Sequence, residues 1–231
     1  MTNSARILLP GLVPNLRDVG ELTTRDGGLL RSRRLLRTSA LAQLSAPAVE
    51  ALAGLVGPAL YVDLRTDAEI AQDGAPTELI RQGWSWERLP LMDKLVSDTD
   101  ATAGASLRRY RRHLSVYLAT ARRLVPLLGE RTVVVGCTLG RDRTGLMVAL
   151  LLRWLRVRRA DIIEDFTLSN QCLQAGWHLL PPHWTSSAHA RAPVHGWVCA
   201  SVLETLDGLE RGPGAVPTPR MPVEHLVRER G

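Results

Sequence analysis

The apolar positions of the chain follow two rhythms. From residue 107 to 128, Leu107, Tyr110, Leu114, Tyr117, Leu118, Ala121, Leu124 and Leu128 recur at intervals of three and four, which gathers them on one side of an α-helix. Arg108, Arg109, Arg111, Arg112, Arg122 and Arg123 fall mostly on the other side and read as its solvated face. Elsewhere the apolar runs are short. Thr132 to Val135 is a β-branched run typical of a buried strand, Leu60 to Leu64 reads as a second strand, and Trp84 to Leu91 alternates enough to be a third. Helices are predicted from Ser45, an N-cap with Pro47 in the first turn, to about Leu55, and from Thr66 onward. Two more run from Leu146 to Leu155 and from Asp161 to about Ala175. Ser97 to Ser106 is small and polar and reads as a loop. The first 40 residues, with Gly20, the Asp26-Gly27-Gly28 turn and the Arg31 to Arg37 cluster, read as a loop followed by short hairpin-like strands. Strands alternating with helices predict an α/β sandwich with a mainly parallel central sheet flanked by helices. In such a fold the site lies beyond the carboxyl ends of the strands, here after Val133 to Val135.

Composition narrows the class without naming a ligand. The chain has 231 residues, 45% hydrophobic and 23% charged, which excludes a disordered or collagen-like chain and suits a single domain over 1–231. Its net charge of +6 comes from 28 Arg and one Lys, Lys94, against 23 acids. The arginines are spread from Arg6 to Arg230 and form no stripe, so no nucleic-acid partner is expected. Cys137, Cys172 and Cys199 are an odd, widely spaced set without Cys-x-x-Cys, which argues for a reducing cytoplasmic setting and against a disulfide frame or zinc ribbon. The opening residues are too weakly apolar for a signal peptide, and no apolar run approaches the roughly 18 residues of a membrane span. No metal, cofactor or membrane partner is expected, and the oligomeric state is not legible.

One stretch carries chemistry. The strand at 132–135 empties into Gly136-Cys137-Thr138-Leu139-Gly140-Arg141-Asp142-Arg143-Thr144-Gly145 and then an apolar helix. Backbone N–H groups of such a turn, with the positive end of the helix, cradle an oxyanion. Cys137 in that field is expected to form its thiolate readily, and Arg143, six positions on, offers a planar fork matched to two phosphate oxygens. Thr138, Leu139, Gly140, Arg141, Asp142, Arg143 and Thr144 are the expected phosphate-binding set. Gly140 and Gly145 permit the curvature, and Thr144 can hydrogen-bond the sulfur. The assembly suits thiolate attack on a phosphate monoester through a phosphocysteine. A nucleotide P-loop is excluded, because Gly145 is followed by Leu146-Met147 where Lys and Ser or Thr would be needed.

These residues resemble the bacterial tyrosine-phosphatase family, whose loop signature runs His-Cys-x-x-Gly-Lys-Asp-Arg-Thr-Gly. Asn15-Leu16-Arg17-Asp18-Val19-Gly20 resembles that family's Asn-x-Arg-Asp-x-Gly-Gly segment. Leu36 to Ala40 and Val62 to Thr66 resemble two further segments, and Asp165 to Asn170 resembles the helix beyond the loop, so the likeness covers about residues 12 to 175. It implies a metal-independent cysteine phosphatase of the tyrosine-phosphatase-like fold, with Cys137 as nucleophile and Arg143 as phosphate ligand. Three positions depart from the pattern: Gly136 replaces the usual His, Arg141 the usual Lys, and Glu21 the second Gly. Arg keeps the charge of Lys. The missing His, which in the family helps order the loop and depress the cysteine pKa, implies a slower enzyme or a shifted pH optimum.

A departing oxygen also needs a proton. Asp93, at the end of the third strand where the resemblance places a general-acid loop, and Asp142, inside the phosphate loop, are the leading donors, with Asp98 and Asp100 behind them. Asn15, Arg17, Asp18, Arg37 and Trp177 are candidates for the substrate pocket. Residues 171–200 hold Trp177, His178, His183, Trp184, His189, His195 and Trp197 at spacings that match no metal site, and are expected to form a substrate-selecting lid. The expected activity is hydrolysis of phosphotyrosine or of a small-molecule phosphate such as a nucleotide, sugar or inositol phosphate. The alternatives are a catalytically impaired phosphate-recognition module and, less favoured, sulfur transfer or arsenate reduction, the last lacking placed resolving thiols.

Overall fold

A computed structural model describes residues 6–91, 102–211, 219 and 223–229. In chain order its elements are β1 (Arg17–Asp18), β2 (Leu29–Leu30), β3 (Leu35–Thr38), α1 (Ala46–Val56), β4 (Leu60–Asp63), α2 (Asp67–Asp73), α3 (Thr77–Arg81) and β5 (Ser85–Arg88). There follow α4 (Ala103–Glu130), β6 (Val133–Gly136), α5 (Asp142–Trp154), α6 (Arg159–Gly176), α7 (Pro182–Thr185), α8 (Ala188–Arg191), α9 (Gly196–Arg211), α10 (Val223–Leu226) and β7 (Val227–Arg228). The central sheet runs β1-β3-β6-β4-β5, with β1 antiparallel at one edge and the other four parallel. A two-stranded antiparallel pair, β2 with β7, lies apart from it.

The predicted alternation of strands and helices is thus present, and its side-chain logic is period two. Val133 and Val135 of β6 enter one core with Leu60 and Val62 of β4 and with Tyr117, Leu124 and Leu150 from α4 and α5. Val134 points the other way, into a second core with Tyr61, Leu36, Val49 and Leu52 under α1. Both faces of β6 are therefore buried, which is why its sequence is apolar at every position instead of alternating. Its last residue, Gly136, is level with Thr38 of β3 and Asp63 of β4, so the loop that follows is flanked by the ends of two strands.

Several boundaries differ from the sequence expectation: the third strand ends at Arg88 instead of Leu91, and two helices start about four residues early. Helix α4 begins at Ala103, inside the stretch read as a loop, because Thr102 caps it by accepting from the Ala105 N–H at 3.2 Å. Residues 97–101 of that stretch lie outside the described residues. Helix α5 begins at Asp142 instead of Leu146, so the second half of the phosphate loop is already its first turn. Arg109, expected on the solvated face of α4, is buried and reaches Ser106 Oγ at 3.0 Å. Among the described residues no helix is long and apolar enough to cross a membrane.

Candidate active site

The loop after β6 is shaped by what holds its carbonyls. Thr138 O accepts from the Ala40 N–H at 3.1 Å, Leu139 O from Asn15 Nδ2 at 2.9 Å, and Gly140 O from Arg37 Nη2 at 2.8 Å. In a trans peptide the N–H of the next residue points opposite to the carbonyl. Tying three successive carbonyls outward therefore turns the N–H groups of Leu139, Gly140 and Arg141 inward, and among the described residues none of these is spent on a protein acceptor. They lead into the first turn of α5, whose N–H groups are free by construction. Gly140 makes the close approach possible: its φ is +64°, and a Cβ there would stand 2.1 Å from Thr38 O.

Beneath the loop lies a buried ion cluster. Asp165 of α6 accepts from Arg17 Nε at 3.0 Å and Arg6 Nη1 at 3.3 Å through one oxygen, and from Arg37 Nη1 at 2.7 Å through the other. Ser169 Oγ accepts from both Arg17 Nη2 (2.9 Å) and Arg37 Nη2 (3.1 Å). Burial would raise the Asp165 pKa, but Arg17, Arg37 and Arg6 hold it well below the usual carboxylate range. Burial, reinforced by Arg17, pulls Arg37 down to about 10, so it stays charged at neutral pH. Asn15, Arg17 and Arg37, expected in the substrate pocket, are instead enclosed braces of the loop from below. Asp18 is a turn residue that accepts from the N–H groups of Gly20 and Arg33, each at 2.7 Å. Of that candidate set, half-buried Trp177 lines a cavity of about 510 Å³, together with Arg141, Asn170, Leu173, Ala190 and Pro193.

At the loop itself Cys137 is 2% exposed. Arg143 is gripped by a residue the sequence reading did not single out: Glu69 of α2 accepts from Nη1 at 2.6 Å and Nη2 at 2.5 Å. Glu69 also accepts from the Thr66 N–H at 2.8 Å, completing a capping box, and from the Thr138 hydroxyl. Although burial opposes it, bonding to Arg143 first and then Thr138 pulls the Glu69 pKa down to about 2. Arg143 also donates to Leu64 O and, at 3.1 Å, to Thr138 Oγ1, while its Nε–H is unspent among the described residues. Both Nη groups are thus spent on protein acceptors, so the fork expected for two phosphate oxygens is reduced in this structure to its Nε–H. A capping-box pattern, Thr66-Asp67-Ala68-Glu69, was the sequence signal for Glu69, but it pointed to a helix start and not to a site.

The side chains of Arg141 and Asp142 are spent on the protein. That of Arg141 donates to Ala190 O (2.7 Å), Ala192 O (2.6 Å), His189 O (2.8 Å) and Asp142, clamping residues 189–192 to the loop while its N–H stays in the inward set. Asp142 accepts from Tyr110 Oη at 3.0 Å and Arg141 Nε at 2.9 Å. Burial would raise its pKa, yet Arg141 and then His189 hold it well below the carboxylate range, which weighs against it as the proton donor. Thr144 Oγ1 is buried without a hydrogen-bond partner, so the expected bond to the sulfur is not formed. Asp93, Asp98 and Asp100 lie outside the described residues. In the 171–200 segment, His183 Nε2 and Trp184 Nε1 both meet Asp73 at the end of α2, at 2.6 and 2.8 Å, which spends that histidine on docking the segment.

A Cys-x5-Arg loop at the carboxyl end of a central parallel strand, its carbonyls tied outward and its arginine fixed by a carboxylate, defines a cysteine phosphate-loop protein. The chain belongs to the tyrosine phosphatase family, whose model matches residues 9–214. Its relatives include a Cupriavidus necator protein whose tyrosine-protein phosphatase name is provisional, 31% identical over 177 residues that cover 69% of this chain and 61% of that protein. A tyrosine-protein phosphatase of Nostoc commune is 29% identical over 147 residues, 60% of this chain and 49% of that one. The chain thus spans less than two thirds of either relative. A solved kinase associated phosphatase, with serine substituted for its catalytic-site cysteine, is similar over 78% of this chain and 89% of that chain, with 14% identity and a TM-score of 0.45.

Proposed function

We propose that the protein hydrolyses phosphate monoesters through a phosphocysteine on Cys137, acting on phosphotyrosine or a small-molecule phosphate. The observation that carries this is the loop: inward N–H groups of residues 139–141 and the unspent Nε–H of Arg143 around the strand end that bears Cys137. The dianion of the ester settles in that cradle. The Cys137 sulfur attacks phosphorus, the P–S bond forms as the ester P–O bond breaks, and the leaving oxygen takes a proton. Water then attacks phosphorus, and the P–S bond breaks to return the thiolate and phosphate. Because the Asp142 carboxylate is bonded to Arg141 and Tyr110, Asp93 is the favoured proton donor, ahead of Asp98 and Asp100.

Turnover of an aryl phosphate in the presence of a chelator tests the reading. Wild type is expected to be active and Cys137→Ser inactive while still binding inorganic phosphate. Turnover that survives Cys137→Ser refutes the mechanism, and phosphate binding without turnover in wild type would establish a recognition module instead. Comparing a phosphotyrosine peptide with nucleotide, sugar and inositol phosphates then assigns the substrate class.

A further inference from the structure

At the end of the sheet opposite the phosphate loop lies an open cavity of about 580 Å³, lined by Glu21, Arg31, Ser32, Arg34, His225 and Arg228. Arg34 directly precedes β3, which runs parallel to β6 with Thr38 level with Gly136, so roughly 13 Å of strand separates this pole from the loop. The walls come from both ends of the chain. The β2–β7 pair, and the Arg31 N–H donating to Leu226 O at 2.8 Å, bring residues 225–228 against residues 21–34. We propose that this cavity is a second anion site, taking a small molecule that carries two or more phosphate groups.

Three guanidinium groups and one carboxylate line the cavity, and the carboxylate is already committed. Glu21 accepts from Ser32 Oγ at 2.9 Å through one oxygen and from Arg228 Nη2 at 2.6 Å through the other. Among the described residues the Arg31 side chain makes no hydrogen bond or ion pair, and that of Arg34 reaches Gly129 O at 3.4 Å and no carboxylate. Other surface arginines do find carboxylates, as Arg81 does with Glu78, Arg156 with Asp26 and Arg158 with Asp161. Like charges gathered in one concavity repel, and an anion bound there relieves that repulsion. Each guanidinium offers a planar fork to the oxygens of one phosphate, so two uncommitted forks match two phosphate groups. The volume falls within the roughly 300–1,000 Å³ of small-molecule sites. The backbone is bent to present these side chains: φ is +62° at Glu21 and +60° at Arg33, between Ser32 and Arg34, a region unfavourable for residues that carry a Cβ. Glycine would be relaxed at position 21, and glycine is what the family pattern has there. Glu21 stands in its place with a side chain that fixes Ser32 and Arg228 as two walls of the cavity.

The test is calorimetric titration of inorganic pyrophosphate into Cys137→Ser, alone and combined with Arg31→Gln or Arg34→Gln, both of which alter side chains that carry no ion pair. Any binding at the phosphate loop is common to all three proteins, so the difference reads this pole alone and stands or falls independently of the phosphatase reading. Each added substitution is expected to weaken pyrophosphate binding by about 10- to 100-fold, the worth of a hydrogen bond between charged groups. Inorganic phosphate, with one group for two forks, is expected to bind this pole about 10-fold more weakly than pyrophosphate. Pyrophosphate affinity that is unchanged by Arg31→Gln and Arg34→Gln overturns the proposal. Equal weakening by Arg111→Gln with Arg112→Gln, two exposed arginines of α4, shows diffuse surface charge only and overturns it as well. ADP and inositol hexakisphosphate are further arms: tighter binding of either through Arg31 and Arg34 names the source of the phosphates, and weaker binding of both than of pyrophosphate refutes a small-molecule site.

Discussion

Glu69→Gln keeps the shape of the side chain and removes the charge that grips Arg143. In the folded protein the Glu69 pKa is about 2 against an ordinary 4.5. At about 1.4 kcal/mol per pH unit that difference is worth roughly 3 kcal/mol at neutral pH, reduced to about 2 to 3 because the side chain is 26% exposed. The folded pKa is depressed, so the contribution is complete above pH 4.5 and is lost as pH falls toward 2. Urea melts of wild type and Glu69→Gln should differ by about 2 to 3 kcal/mol at pH 7, or roughly 5 to 10 °C in melting temperature for a chain of this size, and by about half that at pH 3. Activity should fall by about 10- to 100-fold in kcat/KM, since the Arg143 fork loses the partner that fixes its far edge. A difference that is equal at both pH values, or below about 0.5 kcal/mol at pH 7, would falsify the assignment of Glu69 as the charged anchor of the fork.

Arg143→Lys should abolish turnover nearly as fully as Cys137→Ser and weaken phosphate binding, because a point charge cannot both hold Glu69 and present a second donor; unchanged phosphate affinity by calorimetry would contradict this. Gly140→Ala places a Cβ against Thr38 O at a φ of +64°, so the loop must move: the melting temperature should drop by a few degrees and the extra stability conferred by added phosphate should vanish, and a retained phosphate effect would count against the cradle. Asp93→Asn should cost about 10²- to 10⁴-fold on alkyl or tyrosyl phosphates and far less on activated aryl phosphates, whereas Asp142→Asn should weaken both alike; the reverse pattern would return the proton-donor role to Asp142.

The fold was legible where local physics is strong. A β-branched run at 132–135 and a three-four apolar spacing over 107–128 each specify their element without help, and both are present as β6 and α4. Elements set by partners far away in sequence were not legible. The strands β1, β2 and β7 are two residues long, and β7 exists only because residues 227–228 pair with 29–30 across nearly the whole chain. The early start of α5 was hidden for a local reason: its N-cap, Arg141, makes no side-chain capping bond, so no Ser, Thr, Asp or Asn marks the entry.

For the site, sequence spacing located the nucleophile and its fork but not the depth at which the other arginines lie. Charge on the page of a sequence reads as surface, yet Arg17, Arg37 and Arg6 surround a single Asp165 under the loop, and Arg65 is closed on Asp63 at 2.7 Å. Arg17 and Arg37, both fully buried, share the one Asp165 carboxylate beneath the N–H cradle. Because these groups are already oriented by Asp165, Ser169 and the Gly140 carbonyl, they need not reorganise when an anion arrives, which is the condition under which a buried field favours a developing charge most strongly. Arg141 meanwhile ties residues 189–192 to the same loop, so the loop backbone is braced from below by a charge cluster and from the side by that segment. A chain that spends its arginines inward in this way keeps the Nε–H of Arg143 as the guanidinium donor not bonded to protein among the described residues, so on the proposed reading that single donor, more than the net charge of +6, is the contact that meets a phosphate oxygen.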